Sequence, residues 1–129
     1  LYETDEYAWL LRQAATLRAR RLTALDTGNL AEYLEDMGRS QVREAGSLMA
    51  LLFHHLLKFR MQPERATPSW RLTVLNARAE LADIFESKTL RHKAASVVAK
   101  SWERARAAAA ADIEVPVDSV PRENPFTLE

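Results

Sequence analysis

Between Ser40 and Met61 the chain reads SQVREAGSLMALLFHHLLKFRM, and this stretch limits what the rest can fold into. It is too apolar for an ordinary surface helix. It is also interrupted by charge, and its longest apolar run falls well short of the ~20 residues a membrane helix needs. Apolar side chains from Val42 to Phe59 surround most of a helical circumference, which predicts a buried central helix ended by Pro63. A chain with such a spine needs partners of its own kind. Helix formers dominate, with three glycines and no alternating β-branched run, so the expected fold is all-α. The expected architecture is an antiparallel helical bundle of four long helices and one short helix over residues 1–111. A proline-containing strap or tail over 112–129 completes it.

The spacing predicts a first helix from about Asp5 to Arg21, with Tyr7, Leu10, Ala14 and Leu17 on one face. A short second helix is expected over Asn29 to Met37, with Leu30, Tyr33, Leu34 and Met37 as its stripe and Gly38 as a left-handed terminator. The central helix, from about Ser40 to Gln62, is the third. Thr67 before Pro68 reads as a cap followed by a first-turn proline, opening a fourth helix to about Glu86. There Val74, Ala77, Leu81, Ile84 and Phe85 face the core. Ser87 or Thr89 restarts a fifth helix reaching about Ala111, with Ala94, Val98, Trp102, Ala105 and Ala109 as a stripe of mostly small side chains. Pro116, Pro121 and Pro125 forbid a regular helix beyond, and Val115, Val117, Val120 and Phe126 are the side chains to pin a strap.

At 129 residues the chain is expected to be one domain with an independent core. Without cysteine there is no disulfide framework and no thiolate nucleophile, which fits a cytoplasmic setting. Eighteen basic and eighteen acidic residues cancel, which counts against a nucleic-acid-binding surface. No signal peptide is seen, and a few initiating residues are expected to precede Leu1.

An ordered set of segments carries a resemblance. They are Tyr7-Ala8-Trp9-Leu10, Leu25-Asp26 with Asn29-Leu30, and Glu35-Asp36-Met37-Gly38-Arg39-Ser40. The set continues with His55-Leu56-Leu57-Lys58-Phe59, Gln62-Pro63-Glu64, Ser69-Trp70-Arg71, Arg78, Ser87, Leu90-Arg91 and Asn124-Pro125-Phe126-Thr127. In this order and spacing the chain resembles the DUF29 family of small bacterial proteins. The resemblance implies a helical bundle and a bacterial origin, and it implies no activity. Tyr33 stands where the family pattern has an acidic residue, and Lys88-Thr89 replaces a Pro-Ser pair.

Two places are candidates for a site. Adjacent helical residues point about 100° apart, so His54 and His55 cannot share one small site. His55 shares a face with Leu48, Leu52 and Phe59 and is the expected inward imidazole. A tight turn at Gly38 would supply its partner from Glu32, Glu35 or Asp36, with Lys58 close by. That polar cluster either fixes helix packing or performs acid–base or metal chemistry. No histidine has a glutamate three residues before it and no His-Glu-x-x-His exists, so no metal or cofactor is expected. The second place is Trp70 with Arg71, closing the core or anchoring a partner.

Three functional readings follow. The foremost is a non-enzymatic protein-interaction or regulatory module that binds an unknown protein or a second copy of itself. A metal-binding or acid–base enzyme using His55 and Glu35 is the second, so enzymatic activity stays open. The third is an antitoxin-like, nucleic-acid-linked regulator using Arg18, Arg20 and Arg21.

Overall fold

The computed structural model describes residues 2–126. Five α-helices make up most of it, α1 Glu6–Arg18, α2 Thr27–Met61, α3 Pro68–Ile84, α4 Lys88–Ala95 and α5 Val98–Asp112, and no strand occurs among the described residues. The fold is all-α, but these are not the five helices the spacing predicts. The segments on either side of Gly38 are one continuous helix of 35 residues, and no glycine takes a positive φ. A single interior glycine costs a helix only about 1 kcal/mol, which strong helix formers on both sides offset. The expected fifth helix is instead two. Ser96 Oγ donates to the Lys93 carbonyl at 2.6 Å, and the chain restarts at Val98.

Capping follows the sequence more closely. Asp5, Thr67 and Ser87 accept hydrogen bonds from Ala8 N, Trp70 N and Leu90 N, and Pro68 opens α3. α1 stops at Arg18, short of Arg21, and Arg20 beyond it sits at φ 57°.

The chain divides into two compact units, Leu1–Ser40 and Gln41–Glu129. In the first, Trp9 and Gln13 are buried, and Trp9 is stacked obliquely between Tyr2 at 4.6 Å and Tyr33 at 5.8 Å. Its indole Nε1 donates to Asp26 Oδ2 at 3.0 Å. Asp26 also receives Asn29 Nδ2 at 2.9 Å, and its own amide donates to the buried Gln13 Oε1 at 2.8 Å. One carboxylate thus caps α2 and ties it to α1. The inward face of α1 is therefore Trp9 and Gln13. The expected stripe fails at both ends, because Tyr7 is 66% and Leu17 53% exposed.

The second unit has an apolar core. Ala45, Met49, Phe53 and Leu57, four apart along α2, meet Leu81 of α3, Ala94 of α4 and Trp102, Ala105 and Ala109 of α5. Phe53 lies edge-on to Trp102, with ring centroids 5.7 Å apart. The central helix is thus buried along one stripe, with Leu51 exposed and Leu48, Leu52 and Leu56 partly covered. Residues beyond α5 lie against this core. Val120 is buried, and Phe126 stacks on Phe53 at 6.2 Å. Trp102 Nε1 donates to the Arg122 carbonyl, and the buried Arg106 donates to the carbonyls of Val117 and Val120. Val117 itself points outward, and Thr127 lies outside the described residues.

Candidate functional site

Near the C-terminal end of α2 a lysine is taken out of water. Lys58 is 8% exposed, yet its Nζ lies 2.7 Å from Asp112 Oδ2 and 4.2 Å from the centroid of the Trp70 ring. A desolvated ammonium needs such partners, one carboxylate and one aromatic face. Phe59 meets Trp70 edge-on at 5.5 Å and holds the indole in place. His54, one turn before Lys58, brings Nε2 to 3.2 Å from the same Asp112 oxygen. Three elements thus converge, α2 with His54 and Lys58, the last residue of α5, and the first turn of α3.

The charges are set by this geometry. The Lys58 hydrogen bond is the main reason that the Asp112 carboxyl sits below its ordinary range. Burial, partly offset by Asp112, pushes His54 below its ordinary value. A neutral His54 donates from Nε2 to the carboxylate, the tautomer that bond requires, and leaves Nδ1 as acceptor. Chemically the cluster is an oriented imidazole beside an anion locked to a lysine. Among the described residues no three His, Cys, Asp or Glu side chains gather where they would hold a metal.

The structure rearranges the expected polar cluster. His55 has Nδ1 3.1 Å from the Leu51 carbonyl of its own helix. The buried stripe runs through Met49, Phe53 and Leu57, one residue round the helix from Leu48, Leu52 and Phe59, and His54 rather than His55 takes the partnered position. The turn at Gly38 that would bring acidic residues to His55 does not exist. Glu35 and Asp36 are exposed and pair with Arg39, four and three residues on, and Glu32 is exposed as well. Asp112 stands 58 positions from His54, out of reach of any helical spacing. The available signal was the four-residue spacing of His54 and Lys58, which marks a shared face needing an anion.

Trp70 is half-buried, and Arg71 beside it is exposed. Arg71 lines a shallow groove of about 470 Å³ with Phe59, Pro68, Leu72 and Leu75. Leu72 is 58% and Leu75 56% exposed, three apart on one face of α3.

The family model for a domain of unknown function, DUF29, matches residues 1–129. The chain belongs to the DUF29 family. No curated protein and no solved structure matches it. Four of the DUF29-like segments have structural work to do in this chain. Trp9, Asp26 and Asn29 form the hydrogen-bonded centre of the first unit, and Lys58 and Trp70 form the cation–aromatic contact of the second. No helix among the described residues is long and apolar enough to cross a membrane.

Proposed function

We propose that this DUF29 chain is a non-enzymatic interaction module that uses the opening turns of α3 to hold a protein partner. One observation carries the reading. Leu72 and Leu75 stand exposed on a groove flanked by Arg71 and walled by Phe59, an apolar patch with a cation at its edge. The Lys58–Trp70–Phe59 contact behind it supports a rigid wall rather than a mobile one. A helix segment or extended peptide with two apolar anchors and an acidic residue fits that chemistry. Self-association through the same face is the homodimer form of the proposal.

Capture from a lysate of the source organism, compared between the natural chain and Leu72→Asp/Leu75→Asp, tests it. A partner lost with the variant, or a dimer that the variant dissociates in sedimentation, is the expected outcome. Capture unaffected by the variant, or a strict monomer that retains nothing, overturns the reading.

The His54–Asp112 contact favours a second reading, acid–base chemistry, because a carboxylate orients the imidazole as it does for a general base. Loss of a measured hydrolytic or proton-transfer activity in His54→Gln is its test.

A further inference from the structure

The second half of α3 borders a groove unlike the one at its start. This groove encloses about 500 Å³ between α2, α3 and the residues beyond α5. That volume lies inside the ~300–1,000 Å³ of small-ligand pockets. Met49, Phe53 and Leu81 form its floor, and all three belong to the buried core. Leu52, Leu56 and Phe85, each half-buried, stand along its sides.

The third wall is pinned in place. Phe126 stacks on Phe53 at 6.2 Å and lies edge-on to Trp102 at 6.0 Å, and its amide donates to Asn124 Oδ1 at 2.9 Å. Trp102 Nε1 holds the same segment through the Arg122 carbonyl. Pro125 and Phe126 therefore present a preformed apolar surface to the groove.

One lining side chain is charged. Arg78 is exposed and forms no ion pair among the described residues, and no carboxylate shares the lining with it. It is also the first α3 residue on the groove, with Leu81, Ala82 and Phe85 following. The groove thus has a cationic end and an apolar length. Each helix lines it over about two turns, Met49 to Leu56 and Arg78 to Phe85, or ~10 Å.

We propose that this groove binds a straight-chain fatty acid of about eight carbons, whose ~1.5 Å bonds span that length when extended. The Arg78 guanidinium takes the carboxylate, whose planar geometry it matches bidentately. Met49, Phe53 and Phe126 take the hydrocarbon chain and remove it from water. A single cation balances a monoanion, which favours a carboxylate over a phosphate dianion. The site is separate from the partner surface at Leu72 and Leu75, which do not line it.

The test is an NMR titration of the full chain that follows backbone amides and the Met49 methyl group. Its probes are octanoate, octanol and acetate, with phosphatidylglycerol vesicles as a separate arm. Octanoate is expected to shift the amides of residues 49–56 and 78–85 saturably, with contacts between its chain and the Met49 methyl. Octanol should bind the same place about tenfold more weakly, and acetate should not saturate. Arg78→Ala should weaken octanoate by the same factor and leave octanol unchanged, since the guanidinium serves only the head group. Ala82→Phe fills the groove from an exposed position, so binding should be lost while circular dichroism and the Trp102 amide stay as they were. Absence of saturable octanoate shifts into the ~10 mM range overturns the proposal. Equal binding of octanol and octanoate, or octanoate binding retained in Ala82→Phe, overturns it too. Shifts of the same amides by vesicles but not by octanoate would give the groove to a membrane surface. Shifts on raising the protein concentration alone would give it to a second copy, and either result contradicts the proposal.

Discussion

The two compact units are held in different ways. The N-terminal unit has one closed-off tryptophan and a carboxylate, Asp26, that gathers bonds from Trp9, Asn29 and the start of α2. The C-terminal unit has a continuous apolar core, and its buried polar groups, Ser101, Lys58 and Arg106, are tied to specific partners. A polar hub depends on one protonation state, while an apolar core depends on volume. The units should therefore fail under different insults.

Volume comes first. Trp102→Ala removes the ring packed against Phe53 and Phe126 and the donor to the Arg122 carbonyl, and it should cost about 3–5 kcal/mol. Denaturant unfolding measures the loss, and hydrogen exchange should place it in α5 and the 40s and 50s of α2. Equal loss of protection in α1 would break the comparison.

Charge comes second. Asp26→Asn keeps the shape and removes the anion that two donors share. Its effect should be smaller than that of Trp102→Ala and local, a several-fold loss of amide protection confined to α1 and the first turns of α2.

Acidification separates the units further. Burial holds His54 below its ordinary value, so the unfolded chain binds its proton first, and the stability His54 contributes falls as pH drops below ~6.5. Asp26 and Asp112 are held below their ordinary range, Asp26 chiefly by the Asn29 side chain, so their contribution is present above ~4 and disappears as pH falls through their folded values. Amides of the C-terminal unit should thus weaken near pH 6 and those of the N-terminal unit only in stronger acid. In His54→Gln the step near pH 6 should vanish. A titration in which α1 weakens first, or the step survives the substitution, contradicts this ordering.

The smallest effect is a gain. Arg20 and Glu114, one in each unit, hold left-handed backbone at φ 57° and 58°. Glycine adopts that conformation without strain, so each substitution should add about 0.5–1 kcal/mol by relieving it. Thermal unfolding would show it.

What the sequence made legible was local. Caps at Asp5, Thr67 and Ser87, and the stripes Ala77–Leu81 and Trp102–Ala105–Ala109, follow from side-chain chemistry and helical periodicity alone. What it hid was tertiary or nearly balanced. Gly38 carries a stop signal that the surrounding helix formers outweigh. His54 and His55 differ by one residue, about 100° of rotation, and only the facing helices decide which is covered. Asp112 stands 58 positions from His54, and Gln13 is buried by a bond to the Asp26 amide that no apolar pattern announces.

The comparison extends to function, since both units expose apolar side chains, Leu34 and Met37 in one and Leu72 and Leu75 in the other. The most direct measurement is lysate capture with three forms of the chain, the natural one, Leu72→Asp/Leu75→Asp and Leu34→Asp/Met37→Asp, each confirmed folded by circular dichroism. A partner, or a second copy, should be held by the first and third forms and lost by the second. Retention by the second form, with loss by the third, would place the interface in the N-terminal unit and contradict it.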